Sequence, residues 1–343
     1  MKAVRFHTHG GPEVLVYEDA PDPVARPGHV RVRVAACALN HLDLWQRGGL
    51  DRVTLPLPHI SGADVAGTVA EVGEGVAGFA VGQRVMLQPG LSCGHCPACL
   101  SSRDHQCDRY DVLGYQSEGG YAEMIVVPAE NIIPIPDSID FVSAAAFPLT
   151  FLTAWHMLFA GGHLTADDTV LVVAAGSGVG QAAIQIAKMA QARVLATARG
   201  EDKCARATAL GADHVIDSTR EDVPKRVKAL TEGRGVNIVI EHVGAATWNQ
   251  SVRSLARGGR LVTCGATTGF EVSLDLRHLF ARQLTFAGSY MGAKAELLAA
   301  TEAFFQGRYA PVVDSTYPLR EAAEAQRRLA AGNQFGKIVL VVD

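Results

Sequence analysis

The stretch that decides the fold reads Val170-Leu171-Val172-Val173-Ala174-Ala175-Gly176-Ser177-Gly178-Val179-Gly180. An unbroken apolar run of strand length ends in three glycines within five residues, and a helical pattern follows over 179–190. A strand covered by crossover helices on both faces of a parallel sheet reads this way. Outward from it, strand and helix patterns alternate: strand 193–198, helix 201–210, strand 214–216, helix 223–231, strand 236–243, helix 247–256 and strand 260–265. This repetition predicts an α/β doubly wound parallel sheet, with 284–288 as its edge strand.

The glycine turn is the expected nucleotide site. A strict G-x-G-x-x-G would need glycine at 175 and 177, where Ala175 and Ser177 stand, so position rather than motif carries the reading. Gly176, Ser177, Gly178 and Val179 open a helix whose free N–H groups and partial positive charge suit a pyrophosphate. A glycine-rich turn with no ligand is the alternative. The second strand ends Ala196-Thr197-Ala198 and Arg199 follows. No carboxylate is expected there to accept a ribose hydroxyl, as an NAD site requires, or to repel a phosphate. Arg199, with Lys203 one helical turn on, suits the 2′-phosphate of NADP(H). A solvated surface arginine is the other reading.

Upstream the texture is β-rich. Val30, Val32 and Val34 alternate with polar residues, and 65–72, 84–87 and 121–127 are further strand candidates. A helical period occurs around 39–47. The stretch 141–166 has no Asp, Glu, Lys or Arg, but Pro148, Gly161 and Gly162 interrupt it. It is expected to be a buried helix rather than a membrane span. A closing helix (319–331) and strand (337–342) are expected to return to the first domain.

Composition bounds the rest. The 343 residues suggest two domains, and 48% apolar against 19% charged residues excludes disorder. A net charge of −4 argues against general nucleic-acid or anionic-membrane binding. The N-terminus lacks an apolar core of signal-peptide length, so a cytoplasmic location is expected.

Four of seven cysteines, Cys93, Cys96, Cys99 and Cys107, are spaced C-x2-C-x2-C-x7-C. Four thiolates close a tetrahedral zinc site with no open position, so one structural zinc is expected, not a Lewis acid for substrate. An iron–sulfur cluster is the alternative.

Together these features resemble the medium-chain dehydrogenase/reductase family of zinc alcohol dehydrogenases and quinone oxidoreductases. The resemblance runs through Gly10-Gly11-Pro12-Glu13-Val14-Leu15, the cysteine lobe, Gly119-Gly120-Tyr121-Ala122-Glu123, the glycine turn and Gly336-Lys337-Ile338-Val339-Leu340. It implies a GroES-like catalytic domain at 1–150, carrying the lobe and completed by 291–343, and a Rossmann domain at 151–290. It implies an active site in the cleft, with walls from loops such as 48–57 and 289–294, and a homodimer or homotetramer joined through edge strands. It places Asn40 near the nicotinamide, His41 near the pyrophosphate, Thr153 behind the ring and Lys337 on a phosphate. Gly265, Ala266 and Ser289 would hold the carboxamide, with His242 and Val243 in the same cofactor site. Asn40 as a helix cap, Asp43 paired with Arg47 and Trp45 as core are the structural alternatives.

The family's catalytic zinc needs a cysteine, a histidine and a further cysteine or aspartate. At those positions stand Asn40, Ala63 (in Gly62-Ala63-Asp64) and Leu149, with Leu42 at the hydroxyl-relay position. Asn40, Asp43, Trp45, Arg47 and Gly49 instead match the quinone oxidoreductase pattern. Without a Lewis acid, the acceptor must be activated already: an enone, enal, enoyl thioester, quinone or reactive carbonyl. The resemblance thus implies an NADPH-dependent reductase with Asn40, Asp43, Trp45 and Thr153 in the catalytic pocket. Trp45 cannot release a proton in catalysis, so solvent is the expected proton source. The alternatives are a zinc alcohol dehydrogenase with displaced ligands (Cys37, His41, Asp43, His59, Asp64) and a non-catalytic NADPH-binding protein.

Overall fold

The computed structural model describes residues 1–50 and 53–342. Of the wall loop expected at 48–57, Asp51 and Arg52 therefore lie outside the described residues. The chain forms two compact units.

The first unit comprises Met1–Leu149, Ala293–Ala295 and the chain from Ala310 onward. Its sheet runs in the order Val313–Pro318, Lys337–Val341, His29–Ala38, Asp64–Val72, Arg84–Leu87, Ile132–Pro134. His29–Ala38 is central: it pairs along one side with Asp64–Val72. Its other side is shared by Met124–Pro128 and Lys337–Val341. Val30, Val32 and Val34 point into the core as their alternation predicts. A register shift between Val34 and Ala36 brings this strand against Gly67, where a Cβ would run into the Arg33 carbonyl oxygen. Strand Met124–Pro128 starts later than expected, because Ala122 bridges Ala3 and the Tyr121 side chain turns into the core.

The second unit comprises Thr150–Gly292 and Glu296–Tyr309. Its six strands are all parallel, in the order His214–Asp217, Arg193–Ala198, Thr169–Val172, Val236–Glu241, Leu255–Thr263, Thr285–Gly288. Numbered along the chain this is 3-2-1-4-5-6, the doubly wound order of dinucleotide-binding domains. The helix expected to reach 256 stops at Ser254, and the fifth strand starts at once with buried Leu255 paired to Val236. A register shift then absorbs residues 256–259.

Two expectations are corrected. The uncharged stretch 141–166 is not one helix: Phe141–Ala145, Pro148–Trp155 and a π-helical turn His156–Gly161 divide it, as Pro148 and the paired glycines dictate. No helix among the described residues is long and apolar enough to cross a membrane. The chain also does not leave the second unit at 291. Leu297, Ala300 and Phe304 of helix Lys294–Phe305 are buried, Glu296 pairs with His156 at 2.7 Å, and Tyr309 stacks on Phe151 at 5.0 Å. These contacts hold Glu296–Tyr309 in the second unit.

Candidate functional site

In the second unit the turn after the first strand is held by the second. Ala174 adopts a left-handed φ of +53°, uncommon without glycine. Thr197 stabilises it, accepting the Ala174 N–H at its Oγ1 (3.0 Å) and the Ala175 N–H at its carbonyl (2.8 Å). Ser177 caps helix Gly178–Met189 by accepting the Gly180 N–H at 2.8 Å, and a Cβ on Gly180 would strike the Ala174 carbonyl. His242 Nε2 meets Ser177 Oγ at 2.8 Å, joining the first strand's turn to the end of the fourth strand. Strand order reverses between these two strands, where open parallel sheets bind ligands. Gly176, Ser177, Gly178 and Val179 are half-buried there, at a helix N-terminus. This arrangement fits a dinucleotide pyrophosphate.

The other expected cofactor residues also stand past C-terminal strand ends. Gly265 and Ala266 follow the fifth strand, and Ser289 follows the sixth, its N–H on the Thr263 carbonyl at 2.8 Å and its buried Oγ unpartnered among the described residues. Val243 donates its N–H to Glu241 at 2.7 Å. Arg199 is exposed and without an ion-pair partner among the described residues, and Lys203 is half-buried on helix Glu201–Ala209. The expectation that no carboxylate lies near is corrected by Asp217. It stands in register with Ala198 on the neighbouring strand and accepts the Gly200 N–H at 3.2 Å. The Thr219 hydroxyl and N–H bind the same oxygen and hold this carboxyl below its ordinary range. Thr153 is buried on helix Pro148–Trp155.

In the first unit, strand register assembles the pocket residues. Ala38 pairs with both Asp64 and Val339, so Asn40, just past the end of its strand, meets Asp64 and Lys337, the first residues of the two neighbouring strands. Asn40 Nδ2 donates to Asp64 Oδ2 at 2.9 Å. Lys337 Nζ donates to Asn40 Oδ1 at 2.6 Å and to Asp64 Oδ2 at 2.9 Å. The Leu149 N–H completes the shell on Asp64 Oδ1 at 2.8 Å. Residue exposures are 7% for Asn40, 0% for Asp64 and 3% for Lys337. The Lys337 ammonium, expected on a phosphate, is in this structure bound to a carboxylate and an amide.

Asp43 does not pair with Arg47. Its Oδ2 accepts the Asn40 N–H at 2.9 Å, the reciprocal half of a capping box for helix His41–Gly48, and the Tyr121 hydroxyl at 2.8 Å. Arg47 donates instead to Gln326 at 2.6 Å and to the Gly10 carbonyl at 2.5 Å. Burial pushes the Asp43 carboxyl up to about 6 despite these hydrogen bonds. Trp45 is half-buried rather than core, edge-on to His41 at 5.6 Å, and burial lowers the His41 imidazole.

The lobe hangs from a two-stranded sheet, Gly90–Leu91 with Asp111–Val112. Its sulfurs converge: Cys93 and Cys99 are 3.8 Å apart, Cys96 and Cys99 3.5 Å, and all four lie within 4.8 Å of one another. Four sulfurs bound to one zinc at ~2.3 Å would sit about 3.8 Å apart. The N–H groups of Cys96 and Arg109 point at the sulfurs of Cys93 and Cys107, at 3.3 and 3.4 Å. The lobe therefore fits a structural zinc.

The alcohol dehydrogenase GroES-like domain matches residues 26–137, and the zinc-binding dehydrogenase family matches 178–306. A quinone oxidoreductase from Pseudomonas aeruginosa is 32% identical over 99% of both chains. An alcohol dehydrogenase from Geobacillus stearothermophilus is 31% identical over 96% of both. A crystal structure described as an NAD-dependent alcohol dehydrogenase superposes with a TM-score of 0.97 at 48% identity, covering all of both chains. The chain is a medium-chain dehydrogenase/reductase.

This dehydrogenase/reductase is an oxidoreductase of a family that binds a nicotinamide cofactor. Among its described residues, only the four lobe cysteines form a group of three or more close metal-ligating side chains. Cys37, His41, Asp43, His59 and Asp64, the residues of the displaced-ligand alternative, form no such group. Sequence reading missed three residues. Asp64, weighed only as a ligand, is the hub of the Asn40 cluster. Tyr121, within the Gly119–Glu123 motif, anchors Asp43. Buried Glu241 accepts the N–H groups of Val243 and Gly244 and the hydroxyls of Thr247 and Ser251. Its signal was a carboxylate closing the apolar run Val236-Asn237-Ile238-Val239-Ile240.

Proposed function

We propose that the enzyme is an NADPH-dependent reductase of activated C=C bonds, quinones or reactive carbonyls that works without a catalytic zinc. One observation carries this reading. The three ligand positions hold Asn40, Ala63 and Leu149, and the carboxylate beside them, Asp64, is taken up by Lys337, Asn40 and the Leu149 N–H. Bound NADPH supplies the hydride. The Ser177 turn seats the pyrophosphate, Arg199 meets the 2′-phosphate, and Thr153, Gly265, Ala266 and Ser289 orient the nicotinamide. Asn40 offers a hydrogen bond to charge developing on substrate oxygen, with Asp43 and Trp45 shaping the pocket. Asp43 is sealed in its hydrogen bonds, which supports solvent as the proton source.

Outside the site, the sixth strand ends the sheet, and exposed Phe270 (77%), Leu276 and Phe280 precede it in the chain. These features support a homodimer or homotetramer, read by light scattering. Seven free cysteines suit a reducing cytoplasm.

A second reading, an NAD-linked alcohol dehydrogenase, is favoured by the description of the 48% identical structure and by Asp217 beside the second strand. Turnover on enones, 2-alkenals, quinones, enoyl thioesters and simple alcohols with both cofactors separates the two, alongside metal analysis. One zinc per chain and NADPH-linked reduction of activated acceptors are expected. Fast NAD-linked alcohol oxidation with two zincs per chain would refute the proposal.

A further inference from the structure

The geometry points to Lys337 as a positioning residue: it fixes and polarises Asn40, so that an Asn40 amide N–H stabilises the oxyanion formed on substrate. This rests on the proposed reduction of an activated acceptor.

The partners of Asn40 settle which way its amide faces. Lysine can only donate, so the 2.6 Å contact from Lys337 Nζ must meet the carbonyl oxygen Oδ1. A carboxylate can only accept, so the 2.9 Å contact to Asp64 must come from Nδ2. With both ends fixed, the amide has neither rotational nor flip freedom. One Nδ2 hydrogen is committed to Asp64, and the second has no partner among the described residues. Of the three residues, Asn40 is the most exposed, at 7%.

Electrostatics sharpen that second hydrogen. A cation on the carbonyl oxygen draws charge through the amide and strengthens its N–H as a donor, an effect that low local dielectric enlarges. Asp64 balances the charge of Lys337 at 2.9 Å, so the cluster does not leave an ammonium buried alone. During reduction, hydride from NADPH forms a C–H bond at the electrophilic carbon, and the double-bond pair moves onto the carbonyl oxygen. NADPH becomes NADP+, and water supplies the proton that completes the product. The Asn40 N–H serves the oxygen while it carries that charge. A single donor of this kind contributes on the order of 10²–10³ in rate.

The test uses the full-length enzyme and three variants: K337M/D64N, which removes both charges together, Asn40→Ala, and the triple combination. NADPH Kd is read by fluorescence, folding by Tm, and kcat at saturating NADPH. The expected result for K337M/D64N is a roughly 100-fold loss of kcat with NADPH Kd near wild type. Because Lys337 acts through Asn40, the triple variant should lose no more than Asn40→Ala alone. A phosphate-binding lysine would give the opposite split, weakened Kd with kcat intact, and would overturn the inference. Multiplying losses in the triple variant, or no change in kcat, would overturn it as well. Should the charge-pair variant not fold, Lys337→Arg reads the same split between kcat and Kd. Wild-type turnover is measured first. If only alcohols react, the proposed function fails by itself, and the same variants assayed on alcohol then decide the role of Lys337.

Discussion

The Tyr121 hydroxyl donates to Asp43 Oδ2 at 2.8 Å, and neither side chain reaches solvent. This bond joins the Gly119–Glu123 motif to the helix that follows Asn40, so one carboxylate holds the two segments together through its hydrogen bonds rather than through Arg47. Its protonation state consequently bears on stability.

Asp43 is held at about 6 in the folded protein against an ordinary 3.8. Between these values the native state binds more protons here than the unfolded chain. This residue's contribution therefore favours folding below pH 4 and is lost as pH rises through 6. The full span is about 3 kcal/mol. Urea titrations from pH 4 to 7 should show wild type losing stability relative to Asp43→Asn as pH rises. Parallel curves would contradict the buried-carboxyl reading.

Arg199 is predicted to read the 2′-phosphate. Arg199→Ala should raise KM for NADPH roughly tenfold or more, the scale of a charge-assisted hydrogen bond. KM for NADH should barely move. Equal changes for both cofactors would remove Arg199 from that role.

Cys96→Ser should release the lobe's metal, measured as zinc per chain after gel filtration. Zinc at about 1,000 times its dissociation constant stabilises by about 4 kcal/mol. Its loss should lower Tm by roughly 10 °C. Turnover per folded molecule should persist well below the new midpoint, because the filled site has no open coordination position.

Gly67→Ala tests the sheet. The added Cβ meets the Arg33 carbonyl, a backbone group that cannot swing aside. A loss of about 1–3 kcal/mol is expected in denaturant titration. An unchanged midpoint would mean that the strands at the register shift separate freely.

What the sequence determined by itself is what local pattern encodes. The continuous apolar run 170–175 reads as a strand covered on both faces, and the alternation of such strands with helices requires crossovers. The spacing of Cys93, Cys96, Cys99 and Cys107 places four sulfurs in one loop whatever surrounds it. Which distant residues share a site is set by long-range pairing alone. Asn40 and Lys337 are 297 positions apart, and they touch because strands His29–Ala38 and Lys337–Val341 pair in one register. Asp217 stands beside Gly200 only through parallel pairing of the second and third strands. Register is a long-range property, set by which faces are buried together. No window of sequence contains it, so the lysine expected on a phosphate could be found on Asp64 only after the sheet was in view.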